Sequence, residues 1–492
     1  MEVKKDPSYA VDDDNVSSAE GQLDIASAAY RRMPESLRGL GDDEISQLQK
    51  KLVRKIDLLV LPTIGILYIL NYIDRQNLAS AKLQGITDDL NMTTEQFATA
   101  IPSNLLITKI SRPGMYICAA VAIWGCVSAA TAAVQSYGQL LAVRAILGAA
   151  EAVFFPGAIY YLSAWYTKVE LGKRIAGLYI AQQVGNAFGG LFAAAILQLD
   201  GVHGIRGWRW LFIIEGSATV GIGVVCACIM PEFPHNSRIL SAEQRALAVW
   251  RIESEAGAAE GTEKESVLRG FAKALSDPKL ILLILCNMLS QVQGSIANYF
   301  PTLVASLNFS HTISLLLTAP PYILAGAVYY VIMYYSDRKN TVYPIILICI
   351  SISVVMYIIP MTTLNVGARY FSMVILPFAS VGPQLLLYKT INLHLARPVS
   401  KRAAASALVN AIGGTSNIWA SYLYYSSPHF YAAFGALMAA ALLLGVTITV
   451  YRWLVLRENK RLDSGDPDEI LKAIKGGVTE EMVQLGWRYE MY

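Results

Sequence analysis

Charge is scarce in this chain. Only 16% of its 492 residues are Asp, Glu, Lys or Arg, against about 25% in ordinary soluble domains, while 54% are hydrophobic, which argues against a soluble enzyme. Histidine is rarer still, with five residues, too few and too scattered to suggest a metal site. The six cysteines (Cys118, Cys126, Cys226, Cys228, Cys286 and Cys349) all fall inside apolar runs without His or carboxylate neighbours, so they read as small packing residues. No nucleotide loop, zinc spacing or nucleophile elbow stands in a supporting context, so the expectation is neither an enzyme nor a cofactor binder. A net charge of +3 is too mild, and its basic residues too confined to loops, for nucleic acid. The N-terminus opens on acidic and polar residues (Asp12, Asp13, Asp14), without the basic flank and apolar stretch of a signal peptide, so no cleaved leader is expected.

Long apolar runs are abundant. Eleven are convincing spans, near 58–78, 115–134, 138–163, 174–198, 210–230, 280–302, 314–335, 342–361, 368–389, 403–424 and 430–456, each near the roughly 20 residues that cross a bilayer. A weaker stretch, 94–110, is interrupted by Pro102 and closed by Lys109; about 15 helical residues cover only roughly 22 Å of a hydrocarbon layer about 30 Å thick. Charge decides whether it crosses, because inner loops carry excess Lys and Arg. With an inner N-terminus (Lys50, Lys51, Arg54, Lys55) and a crossing 94–110, the inner loops hold Lys109 and Arg112, then Lys168, Lys173 and Arg174, then Arg338 and Lys339, then Arg397, Lys401 and Arg402. The outer loops keep only Lys82, Arg206, Arg209 and Arg369. Twelve segments are therefore expected, numbered 1 to 12 in chain order, with segment 2 unusually short.

The longest polar interruption, 231–279, divides the segments six and six. The expected organisation is an inner tail (1–56), a six-helix bundle (57–230), a central inner loop (231–279), a second six-helix bundle (280–456) and an inner tail (457–492). Two such halves with a polar cavity between them make a secondary-transporter arrangement, and Ser336-Asp337-Arg338-Lys339 after segment 8 echoes Thr108-Lys109-Ile110-Ser111-Arg112 after segment 2.

Ionisable residues at membrane depth cost about 2.5 to 3.5 kcal/mol each, so each asks for a partner and a purpose. On segment 1, Asn71, Asp74 and Arg75 share a face by their spacings of three and four. On segment 4, Arg144 and Glu151 are seven residues apart, one face and roughly 10 Å along the axis. An acid in a dry site titrates high and a neighbouring Arg opposes that, so relative motion switches proton affinity; the same four residues would also serve as a neutral packing network. Amides at membrane depth (Gln182, Gln183 and Asn186 on segment 5, Gln293 on segment 7, Asn410 on segment 11) need partners that either a substrate or neighbouring helices supply. Lys389 reaches the inner surface by snorkelling. The triplets at Asn91 and Asn308 place glycosylation acceptors in outer loops.

The chain resembles the fungal allantoate, nicotinate and pantothenate permeases, the anion:cation symporter branch of the major facilitator superfamily, over most of 50–460. The likeness rests on Asn71-Tyr72-Ile73-Asp74-Arg75-Gln76-Asn77, Pro102-Ser103-Asn104-Leu105-Leu106, Arg144 with Gly148 and Glu151, Pro156-Gly157, Tyr160-Tyr161-Leu162-Ser163-Ala164-Trp165-Tyr166, Gly207-Trp208-Arg209-Trp210, Thr318-Ala319-Pro320-Pro321-Tyr322 and Lys401-Arg402-Ala403-Ala404. The resemblance implies an all-α major facilitator fold. It makes Asp74 and Glu151 the proton-titrating acids, Arg75 the clamp for a substrate carboxylate, and Arg144 the switchable partner of the acids, with Asp337 and Arg338 in a gating loop. The implied ligands are a small organic anion and protons, carried by a monomer in the plasma membrane, or in a vacuolar or other internal one. Three departures stand out: most of segment 2 is missing, Thr108 replaces an acid in the first gating loop, and Lys389 stands where relatives are uncharged. Export of a fungal secondary metabolite, or a non-transporting anion receptor or truncated inactive permease, are the competing readings.

Overall fold

The computed structural model describes residues 34–39, 41–83, 85–90, 113–152, 154–231, 233–237, 239–259, 271–272, 274–339, 341–394, 399–425, 427–464, 466–475 and 488–489. Segment 2, the Asn91 triplet and Thr108 lie outside the described residues. Within them the chain is helical throughout, without strands, as lipid demands of a backbone that must satisfy its own polar groups.

Among the described residues, nine helices are long and apolar enough to cross a membrane. They correspond to segments 1, 3, 5, 6, 7, 8, 9, 10 and 12. Segment 4 is helical over Tyr137–Ala152 and Phe154–Ser163, with residue 153 outside the described residues. Segment 11 is interrupted at Thr415 between Val399–Gly414 and Ser416–Ala420. Segment 7 also bends, at Ser295, between Pro278–Gly294 and Ile296–Ala305.

Segment 1 begins much earlier than its apolar run, because Asp42–Leu83 is one helix of roughly 60 Å. Its polar first part is not free: Leu52 and Ile56 are buried in a core with Leu240, Leu247 and Ala248, so the helix Ala242–Ala259 of the central loop packs against this stalk. Charge fixes the joint. Arg174 grips Asp57 with two hydrogen bonds, at 3.1 and 2.8 Å, and Arg251 donates to Glu170 at 3.0 Å and to the Trp165 carbonyl.

Segments 1, 3, 4, 5 and 6 pack on one another, and segments 7 to 12 do likewise. The largest buried core lies almost wholly within residues 274–489, and a second within 37–248. Between the two groups, segment 1 touches the second half of segment 7, and segment 5 runs along segment 8. A glycine allows that approach, since a Cβ on Gly190 would lie 2.8 Å from the Leu315 carbonyl; within the first group, one on Gly185 would lie 2.8 Å from that of Ile69. Gln76 of segment 1 spans the seam, donating to Asn186 at 3.2 Å and weakly to the Ala297 carbonyl at 3.4 Å.

Candidate functional site

The four ionisable residues singled out on segments 1 and 4 do converge. Asp74 and Glu151 are buried, and the Arg75 Nε donates to Glu151 Oε2 at 3.0 Å. The pair is lopsided: the Arg75 side chain is 38% exposed while that of Glu151 is 1%. The Arg75 side chain is therefore partly accessible, and its guanidinium carbon lies 5.3 Å from the centre of the Tyr72 ring. Tyr68 meets Tyr72 edge-on, and it stacks against Phe154 and Phe155, three and four residues after Glu151.

Arg144 occupies the deeper part of the site. Its guanidinium rests 5.0 Å from the centre of the Phe212 ring, and it lies within electrostatic reach of Asp74, Glu151 and Glu215. Its Nε and Nη2 have no hydrogen-bond partner among the described residues. Neither has Asp74 Oδ2.

Glu215 was not among the expected residues. It sits in the middle of segment 6 (Gly207–Ile229), fully buried, and accepts hydrogen bonds from Thr219 Oγ1 and from Ser128 Oγ of segment 3, both at 3.2 Å. The same Ser128 hydroxyl makes a very short hydrogen bond with Asp74 Oδ1. Backbone contact sets this geometry. Segments 3 and 6 cross where Gly125 faces Gly216, so closely that a Cβ on Gly216 would lie 2.6 Å from the Ala129 amide nitrogen and one on Gly125 2.9 Å from the Gly216 carbonyl. Ser128 lies three residues after Gly125, and Glu215 directly before Gly216.

The amides are dispersed. Gln183 is buried against Gly326 of segment 8. Gln182 is half-buried and Gln293 fully buried, each with an unpartnered side-chain oxygen among the described residues. Asn410 is exposed. Asp337 and Arg338 are exposed at the C-terminal end of segment 8, and Lys389 does more than reach the surface: its Nζ donates to Asp337 at 2.6 Å and to Ser336 at 3.1 Å. Asn308 is exposed at a positive φ of 63°. Among the described residues no group of His, Cys, Asp and Glu could hold a metal ion.

The profile of the Major Facilitator Superfamily matches residues 64–421. The chain is 31% identical over 469 residues to the MFS-type transporter cnsO of Penicillium expansum, covering 89% of each chain. It is 28% identical to the major facilitator-type transporter hxnP of Emericella nidulans, covering 90% of this chain and 94% of that one. Among solved structures, a bacterial homologue of the human lysosomal transporter Spinster, inward-facing and unoccupied, aligns with a TM-score of 0.60 at 14% identity, over 80% of this chain and 94% of its own.

Proposed function

The chain belongs to the Major Facilitator Superfamily, a multi-pass membrane transporter and not an enzyme, and from that premise we propose that it carries a small carboxylate-bearing metabolite together with protons by alternating access. The observation that carries this reading is the half-open ion pair of Arg75 and Glu151. A guanidinium offers a planar fork that fits both oxygens of a carboxylate. When a substrate carboxylate takes that fork, Glu151 loses its counter-charge in a dry site and favours its neutral form. Anion binding and proton uptake are thereby linked, and the loaded site moves with less charge than the anion alone would bring.

The finer assignment follows the same line. The anion:cation symporter branch accounts for Asp74, Arg75, Arg144 and Glu151 together. Gln182, Gln183, Gln293 and Asn410 are proposed to contact the rest of the substrate. Residues 57–230 and 280–456 serve as the two rocking bundles, joined by the loop 231–279, with Asp337 and Arg338 acting in the inner gate, in a monomer of the plasma membrane with sugar on Asn308.

The test is accumulation of labelled monocarboxylates by yeast expressing the chain, across external pH and with a protonophore. Uptake that rises with the inward proton gradient and collapses with the protonophore supports symport. Accumulation unaffected by either, or by both Asp74→Asn and Glu151→Gln, overturns it.

A further inference from the structure

We propose that Glu215 is a member of the proton site, and that Asp74 and Glu215 hold a single proton between them across the Ser128 hydroxyl. The role in transport rests on the proton-coupled reading above; the held proton itself does not.

The argument begins with hydrogens. A serine hydroxyl owns one hydrogen and can donate it once. Ser128 Oγ is nonetheless within hydrogen-bond distance of two carboxyl oxygens, Asp74 Oδ1 and Glu215 Oε2. With both acids ionised, one of those contacts would set lone pair against lone pair at the centre of a buried site. With one proton on either acid, that acid donates to Ser128 and Ser128 donates to the other, so both contacts become hydrogen bonds. Passing the proton across reverses the two bonds and changes nothing else. Thr219 donates to the far oxygen of Glu215, which leaves Oε2 to face the serine.

Charge points the same way. From the packed segments, the charged groups facing the pair are Arg144 and Glu151 on segment 4, with Glu151 against Asp74 and in turn paired with Arg75 of segment 1. Segment 3 and the membrane-depth part of segment 5, 177–196, bring none. Three carboxylates against two guanidiniums leave one negative charge in a site whose acids are all buried, and one proton cancels it. The unpartnered atoms mark where the proton is exchanged: Asp74 Oδ2 and the Arg144 Nε and Nη2, all buried, are donors and acceptor waiting for a rearrangement. If Arg144 closes on Asp74, the carboxylate form is favoured and the proton leaves through Glu215 or to water.

The experiment is infrared difference spectroscopy of the purified full chain in lipid, reading the C=O stretch of protonated carboxyl groups. The wild type is expected to show one hydrogen-bonded protonated carboxyl at neutral pH, lost in both Asp74→Asn and Glu215→Gln, since either leaves two acids for two guanidiniums. Ser128→Ala should shift the band and Ser128→Thr, which keeps a hydroxyl, should restore its position. The proposal is overturned if the wild type shows no such band, or if the band survives unchanged in Glu215→Gln. Should Glu215→Gln not fold, Ser128→Ala decides alone, an unmoved band refuting the bridge. In the same vesicles, one coupled proton across a gradient of about one pH unit supports roughly tenfold accumulation, and Glu215→Gln should flatten its pH profile. A band that behaves as expected in a protein that accumulates no carboxylate would sink the symporter reading and leave the shared proton standing.

Discussion

At the base of segments 7, 11 and 12, Asp277, Lys279, Lys401 and Glu458 form a buried group of two acids and two bases. Lys401 donates to Asp277 at 2.7 Å and Lys279 to Glu458 at 2.8 Å, and Asp277 also caps its own helix by accepting from the Lys279 amide. The group at membrane depth on segments 1, 4 and 6 has three acids, two bases and unpartnered nitrogens and oxygen. The acids of both are buried, but among the described residues only the first is balanced in charge and has its polar atoms paired. A buried charge that has found its counter-charge and its hydrogen bonds holds helices in place; one that has not is poised to accept another ligand, as intramembrane ionisable groups at transport sites generally are. The difference separates a staple from the proposed working site without reference to any relative.

Breaking the staple should have the largest effect on folding. Asp277→Ala removes the acid to which Lys401 donates in a buried position, and removal of one partner of such a pair costs about 3–5 kcal/mol. The expected result is a large fall in thermal stability of the purified protein, with uptake lost only in proportion to folded protein. The working site should respond in the opposite sense. Arg75→Lys keeps the charge but not the fork, and losing a hydrogen bond to a charged group, worth about 1.5–3 kcal/mol, should weaken apparent substrate affinity roughly tenfold to a hundredfold at nearly unchanged melting temperature. Equal loss of stability in both variants would erase the distinction. The smallest effect belongs to Lys389→Ala, whose partner Asp337 is 59% exposed; exposed pairs contribute about 0 to 1 kcal/mol, so stability should hold while uptake kinetics report any part the pair plays in the inner gate.

Much of this was legible from residue order. The eleven apolar segments fall on helices, nine of them long enough to cross a membrane among the described residues, and the shared faces of Asp74 and Arg75 on one helix and of Arg144 and Glu151 on another followed from spacing. Glu215 could have been found by the same reasoning, since a lone acid inside the apolar run from Leu211 to Cys226 is as costly as the others; the run's overall hydropathy masks it. Ser128 could not have been found, because a serine among small residues carries no sign of its neighbour until the Gly125 and Gly216 crossing is seen. The exposed Asn410, and the use of Gln183 as packing surface for Gly326, likewise depend on which way each helix is turned, which one segment's pattern does not determine.

The unbroken helix Asp42–Leu83 has a mechanical consequence. Asp57, held by Arg174, and Asp74, at the heart of the site, are carried on the same rod roughly 25 Å apart. Pro62 lies between them and supplies no amide to the ladder, so the rod has one compliant point. Whatever tilts the stalk arrives at Asp74 and Arg75 as a swing about that point, in the manner of a lever.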